Sequence, residues 1–300
     1  MDFIRKKIAL KVAILVNAFL LIIMAAGTWF LIIQQNKGLE EQLIERGKIE
    51  SIVGAKMMSQ VFEEAIDNGV FSVQDAFDRE YTPIPGFDPP KYHTKYDSYL
   101  DKAILALEDE FLIDESVIFA VAVDINGYLP THNTRYNQPP TGDKEKDLLL
   151  NRTKRIFDDE TGIAAAKNTQ KGFKQKYKRD TGEVMYDFSS PIYVKGKHWG
   201  GFRIGFSLDK INEAKTKQSI SLIIVMAIIF IISHVLIMLT VNTSIKPLRT
   251  LIQRASDLAD GQKLDEPITT KSIDETGQLA DVLERLRFSI VTAMKRLRKK

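Results

Sequence analysis

Two long apolar runs without charged residues constrain this chain more than any other feature of its sequence. Residues 12–33 contain no charged side chain, and neither do residues 218–242. A helix needs about 20 residues to cross a hydrocarbon core about 30 Å thick, so each run is long enough. We therefore predict two transmembrane helices. The first run could be a cleaved signal peptide, but it continues past Trp29, beyond the usual length of about 7 to 15 apolar residues.

The charges beside these runs predict the orientation of the chain. Residues 1–11 carry four basic residues against one acidic residue, and three more basic residues follow the second run, at Lys246, Arg249 and Arg254. Basic residues concentrate in short cytoplasmic segments next to membrane spans. We therefore expect residues 1–11 to be a cytoplasmic tail, both termini to face the cytoplasm, and residues 34–217 to lie outside.

The segment between the runs is long enough to form a domain with its own core. Residues 34–217 contain 26 basic and 30 acidic residues, and this balance argues against a nucleic-acid surface. The chain has no Cys, which excludes disulfides and thiolate metal sites. Its four His residues show no metal-binding spacing, and no nucleotide-binding or catalytic motif occurs, so we expect no metal, no cofactor and no enzyme activity.

Helical periodicity dominates the first part of this segment. Apolar residues recur every four positions just outside the first run, at Ile49, Val53, Met57, Val61 and Ala65. This stripe could pair with a second copy of the chain, or it could cover the core of its own domain. Four prolines in residues 82–90 predict a loop, and residues 99–111 predict a second amphipathic helix.

The later part of the segment has the character of strands. In residues 116–133 a β-branched apolar run meets Asn-Gly, which predicts a hairpin whose first strand is central and buried. A helix is expected over residues 144–157, and at least three antiparallel strands are expected from Gly172 onwards. In the last strand, alternate residues such as Phe202 and Ile204 are predicted to face the core. The residues between them, including Trp199 and Arg203, are predicted to line a pocket or a close approach between backbones.

The segment is therefore predicted to be an α+β domain, and three phrases within it resemble a known family. They are VAVDINGYLPTHN at 121–133, NRTKRIFDDETGIAAAKN at 151–168 and RDTGEVMYDFSSPIYVKGKHWGGFRIGF at 179–206. Through them the segment resembles the extracytoplasmic Cache-type, PAS-like domain of bacterial chemoreceptors. The resemblance implies a multi-pass receptor of the bacterial inner membrane, with a role in signal transduction such as chemotaxis and a small-metabolite ligand.

The C-terminal residues 243–300 predict a relay of two helices. A heptad-like seam is followed by a polar connector and then by a strict pattern of apolar residues at Leu279, Leu283, Leu286, Ile290, Ala293 and Leu297. With Pro247 after the span and Glu275 in the DETG stretch, this region resembles a HAMP domain. The resemblance implies a parallel homodimer that forms a four-helix bundle. A single amphipathic helix lying on the membrane is the alternative.

Two further expectations concern partners. No output domain follows the relay in this sequence, so we expect a separate cytoplasmic signalling partner. The basic residues 295–300 could attract anionic membrane lipid or an acidic partner, or they could simply complement the dipole of a solvated helix end.

A ligand pocket is expected where polar, aromatic and cationic groups lie near strand ends. The candidate ligand-binding residues are Tyr128, His132, Arg135, Asp187, Trp199 and Arg203. Arg203 could instead only close a salt bridge, and Trp199 could be a core residue. We expect the ligand to carry a carboxylate or similar anion, because guanidinium groups bind such groups in a bidentate manner. The alternative function is a membrane scaffold whose outer domain binds a protein.

Overall fold

The computed structural model describes residues 8–297, so part of the predicted tail and the last three basic residues lie outside the described residues. The chain forms two compact units. The outer unit comprises residues 33–219, and the second unit comprises the described parts of residues 1–32 and 220–300. Two helices are long and apolar enough to cross a membrane. They are α1, Ile8–Asp67, and α7, Leu208–Ala259.

The outer unit mixes short helices with strands, and it confirms the predicted α+β class. Its helices after α1 are α2 Val73–Ala76, α3 Asp97–Ala103, α4 Leu105–Glu110, α5 Lys144–Leu150 and α6 Glu160–Lys167. Its strands are β1 Thr82–Ile84, β2 Lys91–His93, β3 Val117–Asp124, β4 Tyr128–Leu129, β5 Arg155–Ile156, β6 Phe173–Lys178, β7 Val184–Val194 and β8 Lys197–Ser207. The predicted helix at 144–157 ends at Leu150, and the predicted helix at 99–111 is broken between α3 and α4.

Helix α1 continues without a break from the first candidate span into the outer unit, where it packs on the sheet. Two glycines allow this close approach: a Cβ atom at Gly54 would lie 2.2 Å from the Phe202 ring, and one at Gly47 would lie 2.4 Å from the Phe188 ring. The predicted apolar stripe only partly matches the buried face. Ile49 and Val53 are 52% and 43% exposed.

The main sheet is antiparallel, with strand order β3-β8-β7-β6. The predicted hairpin was wrong: β3 pairs with β8, and β4 pairs with β5 instead of with β3. The apolar strand β3 was predicted to be central, but it lies at the edge of the sheet. It stays buried because side chains accept its outward N–H groups: Asn133 accepts from Ala120 at 2.9 Å, and Glu108 accepts from Ala122 at 3.1 Å.

The sheet has a core on each face. The larger core includes Met58 and Phe62 of α1 together with Phe202 and Ile204 of β8. The smaller core lies on the opposite face, and its members include Phe119, Val121, Leu129, Tyr136, Tyr177 and Met185. Most of the parity prediction for β8 therefore holds, with Phe202 and Ile204 on one side.

Trp199 is the exception to this parity, because a bulge changes the register of β8. Tyr193 pairs with His198 and Ile192 pairs with Gly200, which leaves Trp199 as the extra residue. Its ring lies in the larger core, 4.7 Å from that of Phe62, and its Nε1 donates to the carbonyl of Ala76 at 2.8 Å.

In the second unit, α7 continues through Pro247 to Ala259, and α8 runs from Glu275 to Leu297. Leu251, Ile268 and Ala280 form a small buried cluster between the helices and their connector, and Leu283 packs against it. The connector is held by side chains of α8: Glu284 accepts from the Ile268 N–H at 2.7 Å.

Candidate functional site

A small cavity lies against the face of the sheet that bears the smaller core. Its volume is about 20 Å³, and its lining residues come from β3, β4, β6, β8 and the intervening loops. They are Phe119, Leu129, His132, Arg152, Phe157, Tyr177, Arg179 and Arg203. We call this site the arginine cavity. As it stands, it has room for roughly one water molecule, which occupies about 10 to 15 Å³ of such a volume.

Arg152 enters the cavity from the residues that follow α5. It is buried, and its Nη1 and Nη2 donate to Asp180 at 3.1 and 2.8 Å. Its Nη1 also donates to the carbonyl of Leu148, and its guanidinium lies 5.0 Å from the centre of the Phe157 ring. The remaining donor, Nε, is buried without a hydrogen-bond partner. One strong donor of Arg152 is therefore unused.

Arg179, which follows the end of β6, is a second buried arginine with an unused donor. It is buried, and its Nη1 donates to Glu183 at 3.1 Å, but its Nη2 has no hydrogen-bond partner. Its guanidinium stacks 4.4 Å from the centre of the Tyr136 ring. Nearby, Nη1 of the buried Arg155 is also without a partner. A buried donor that is not hydrogen-bonded costs about 1 to 3 kcal/mol, so three such donors in one region call for an explanation.

The basic groups around the cavity outnumber their acidic partners. Arg152 and Arg155 both lie near Asp180, at 2.8 and 3.8 Å. Burial, reinforced by the charge of Arg152, lowers the pKa of Arg155 to about 10. Both guanidinium groups nevertheless remain charged at neutral pH. The site therefore has an unbalanced positive charge that an anion would neutralise.

His132 adds a neutral group to this cationic site. Burial, and next to it the charges of Arg179 and Arg152, keep the pKa of His132 well below its ordinary value. The imidazole is therefore uncharged at neutral pH, and its buried Nδ1 has no hydrogen-bond partner. A neutral imidazole offers one donor and one acceptor, so it can hydrogen-bond a ligand without adding charge.

Arg203 lines the cavity, but its charge is already matched. Its Nη2 and Nε donate to Asp187 at 2.9 and 3.2 Å, and both side chains are buried. Burial raises the pKa of Asp187, while the Arg203 charge opposes that rise. The structure thus brings together three of the predicted site residues, His132, Asp187 and Arg203.

The other three predicted ligand-binding residues lie elsewhere. Tyr128 is buried in the larger core, and its hydroxyl donates to the carbonyl of Tyr92 at 2.9 Å and to Asp97 at 3.1 Å. Trp199 lies in the same core, and Arg135 is exposed in the turn after His132. None of these three lines the arginine cavity.

The sequence prediction missed Arg152, Arg155 and Arg179. Two of them are spaced three apart, just before Phe157, and all three lie within the phrases that carry the Cache resemblance. No sequence motif marks an arginine that has too few carboxylates to accept all of its hydrogen bonds. The number of carboxylates near each arginine is decided by the fold. Within residues 8–297 no group of three or more His, Asp or Glu side chains is arranged to hold a metal ion.

The predicted relay residues lie in the second unit. Pro247 lies inside α7, and Glu275 begins α8 next to Asp274. Hydrogen bonds from Ser272 and Thr276 lower the pKa of Asp274 to about 2. Of the seam residues, Leu283 and Ile290 are half-buried and Leu286 is exposed in the single chain.

The comparisons with known proteins identify one domain of the chain. Residues 239–292 match the HAMP domain family. No curated protein sequence is significantly similar to this chain. The predicted HAMP domain is confirmed. The chain thus combines two candidate spans, an α+β unit encoded between them, and a HAMP domain whose match begins within the second long helix.

Several solved sensor domains are similar to the chain at low levels. The sensor domain of Escherichia coli DcuS is 18% identical with a TM-score of 0.26, over 39% of this chain and 72% of that domain. An extracellular ligand-binding receptor from Desulfohalobium retbaense is 15% identical with a TM-score of 0.31, over 61% of this chain and 25% of the receptor. The ligand-binding domain of Campylobacter jejuni chemoreceptor Tlp3, in complex with L-valine, is 10% identical with a TM-score of 0.30, over 61% of this chain and 66% of that domain. These TM-scores are too low to carry an argument about the ligand of this chain.

Proposed function

We propose that this chain is a receptor that binds a small anion, such as a carboxylate, in the arginine cavity and relays the event through its HAMP domain to a separate cytoplasmic partner. The observation that carries the proposal is the pair of buried donors without partners on Arg152 and Arg179, which line the cavity, together with one on the neighbouring Arg155. An anion supplies the acceptors that these donors lack. Hydrogen bonds between charged groups are roughly twice as strong as neutral ones.

The character of the cavity favours this function over a protein-binding scaffold. A scaffold would have no reason to bury several basic groups around an unfilled site, since apolar side chains would stabilise its core better. Because the cavity holds only about 20 Å³, we infer that the ligand is compact or that the site opens to admit it. Arg179 lines the cavity from the loop of residues 179–183, so movement of this loop would enlarge the cavity.

A ligand in the cavity has a direct physical route to the signalling helices. Asp187 of β7 faces the cavity through Arg203, and its neighbour Tyr186 points to the other face of the sheet. The Tyr186 hydroxyl donates to Glu40 of α1 at 3.1 Å, and Lys215 of α7 donates to Glu40 at 2.8 Å. A shift of β7 would therefore act on the contact that joins α1 to α7.

The relay requires that the ligand bind one of two conformations more tightly, because equal affinity would not change their populations.

We further propose that residues 34–217 lie outside an inner membrane with both termini in the cytoplasm, and that the HAMP helices associate as a parallel homodimer. The positive charges beside both spans support the topology. A reporter active only in the cytoplasm, fused at Thr141, should be inactive, whereas the same reporter at the C-terminus should be active.

Thermal unfolding of the full chain in detergent tests the ligand proposal. Trp199 reports on the outer unit, because the other tryptophan, Trp29, lies in the first candidate span. At least one compound from a panel of carboxylates and inorganic anions should stabilise the outer unit. A ligand at about 100 times its Kd adds roughly 2.7 kcal/mol.

A matched pair of variants locates the effect. Arg179→Gln removes a buried guanidinium of the cavity, whereas Arg135→Gln removes an exposed one from a nearby turn. The first variant should lose the stabilisation by the anion, and the second should keep it. Equal stabilisation of both variants, or no response of the unaltered chain to any anion, would favour the scaffold function.

A further inference from the structure

Two cavities of the outer unit meet beside the loop of residues 179–183, which joins β6 to β7. The arginine cavity is the smaller one. A wider cavity of about 450 Å³ adjoins it, and the residues that line this wider cavity include the exposed residues 158–160. Phe157 and Tyr177 line both cavities, so these two side chains lie where the cavities meet. The wider cavity therefore offers an approach from solvent to the arginine cavity.

One ion pair crosses from the first cavity to the second. Arg152 lines the arginine cavity, whereas Asp180 lines the wider one. Nη1 and Nη2 of Arg152 donate to the two carboxylate oxygens of Asp180, at 3.1 and 2.8 Å. This is the two-bond arrangement in which a guanidinium commonly binds a free carboxylate. Asp180 therefore binds Arg152 as the carboxylate of a ligand would.

The two members of this pair differ in burial. The Arg152 side chain is 3% exposed, whereas that of Asp180 is 35% exposed. In the neighbouring pair of Arg203 and Asp187 both side chains are buried. A carboxylate that is partly exposed returns to water at a lower cost than one that is buried with its partner. Asp180 is therefore the carboxylate that a ligand can replace, and Asp187 is not.

The loop that carries Asp180 can move without uncovering a core. Residues 180–183 contain no large apolar side chain. The side chain of Glu183, which accepts from Arg179 at 3.1 Å, is 46% exposed. A Cβ atom at Gly182 would meet nothing within 4 Å among the described residues, so the tip of the loop has open space around it. The contact with Arg152 is therefore a main anchor of this loop.

We propose that Asp180 is a latch: its carboxylate occupies the position on Arg152 that the carboxylate of a ligand takes, and binding of the ligand displaces the loop of residues 179–183. This inference rests on the proposed function, and it explains how a cavity of about 20 Å³ admits a ligand. One carboxylate replaces another, so the buried guanidinium of Arg152 stays paired. The unused donors, Nε of Arg152 and Nη2 of Arg179, are bonds that Asp180 does not make and that a ligand would gain.

Hydrogen–deuterium exchange of the unaltered full chain in detergent tests the displacement. Sodium acetate is the probe, because acetate carries the same carboxymethyl group as an aspartate side chain, and sodium chloride at equal concentration is the control. Acetate should speed the exchange of the peptide that covers residues 180–183, because the loop loses its anchor on Arg152. The exposed turn at Lys195 and Gly196, between β7 and β8, should be unaffected. Slower or unchanged exchange of residues 180–183, while acetate stabilises the outer unit, would overturn the proposal.

A matched pair of variants measures the competition for Arg152. Asp180→Asn keeps the shape of the side chain but removes its charge. Acetate should then bind about tenfold more tightly or better, since the competitor loses at least the strength of one charged hydrogen bond. Glu160→Gln removes an equal charge from an exposed residue of the same wider cavity, and it should change the affinity far less. Thermal unfolding at increasing acetate concentration, followed by Trp199 fluorescence, gives both affinities.

The outcomes separate the latch from the proposed function. Equal tightening in the two variants would show that the charge of the wider cavity sets the affinity, and it would contradict the latch, as would weaker binding by folded Asp180→Asn. If Asp180→Asn does not fold, the exchange measurement on the unaltered chain decides. No response of either chain to acetate refutes the latch alone when another anion stabilises the outer unit, and no response to any anion refutes the proposed function as well.

Discussion

The outer unit satisfies most of its apolar and charged groups within one chain, whereas the HAMP region does not. Phe62, Phe202 and Phe206 of the outer unit are essentially buried. In the HAMP region Leu286 and Phe288 are 51% and 67% exposed, and the buried cluster there has only three members. Contiguous exposed apolar side chains mark surfaces that contact another protein or a membrane. The difference indicates that the first region is stable within one chain, and it supports the proposal that the second region depends on association with another copy of the chain.

The largest effect is expected from breaking the buried ion pair of the outer unit. Arg203→Met leaves Asp187 buried without its partner, which costs about 3 to 5 kcal/mol. Thermal unfolding followed by Trp199 fluorescence measures the loss. The double variant Arg203→Met with Asp187→Leu should recover most of it, since neither charge then remains. A single variant as stable as the unaltered chain would show that the pair is not buried.

In the HAMP region the comparison predicts an effect that only a second chain can produce. Leu286 and Arg285 are both exposed in the single chain. A cysteine at position 286 should form disulfide-linked dimers in membranes several-fold more readily than one at position 285, because burial of each large aliphatic side chain contributes about 1.5 to 3 kcal/mol to the seam. The chain has no other Cys to interfere. Equal crosslinking at both positions would contradict a seam.

Glu108 tests how completely the outer unit satisfies its buried groups. It accepts a hydrogen bond from the Ala122 N–H, and burial raises its pKa well above the ordinary value. Its protonated form therefore stabilises the fold below the unfolded-state pKa of about 4.3, and this stabilisation is lost as pH rises through the folded-state pKa.

Glu108→Gln should remove this pH dependence, because the amide stays neutral. As pH rises, the variant should become more stable relative to the unaltered chain. The gain is about 1.4 kcal/mol for each unit by which folding raises the pKa of Glu108. Thermal unfolding between pH 4 and 8 provides the measurement. Parallel pH profiles for the two proteins would mean that Glu108 is not perturbed.

The smallest effect is expected for a HAMP substitution read out in the outer unit. Leu251→Ala removes a buried side chain of the HAMP cluster and should reduce crosslinking through position 286. Without the anion, the Trp199 transition should shift by no more than about 0.5 kcal/mol, because the two residues share no contacts and the effects of such sites on stability usually add. A larger shift would show that the two regions unfold as one.

The sequence predicted the elements of the fold better than their pairing. The long helix, the strands from Phe173 to Ser207 and the HAMP seam follow from periodicity and turn residues, which are local. The edge position of β3 could not be predicted. Its N–H groups that have no neighbouring strand donate to Asn133 and Glu108, which lie in other parts of the chain. A single bulge moved Trp199 into the core.

The candidate site was predicted only in part for a similar reason. His132 and Arg203 were found because they lie near predicted strand ends. Arg152 and Arg179 become site candidates only once the fold shows that their acidic partners leave donors unused. Which charges pair across segments far apart in the sequence is decided by the tertiary structure, so it could not be predicted from this one sequence.

The central claim is that an anion bound in the arginine cavity changes the HAMP seam, and crosslinking at position 286 tests it directly. The rate of disulfide formation should change when the stabilising anion is added to membranes that contain the Leu286→Cys chain. The same anion should leave the rate unchanged when Arg179→Gln is also present. An anion that stabilises the outer unit but leaves the crosslinking rate the same would contradict the claim.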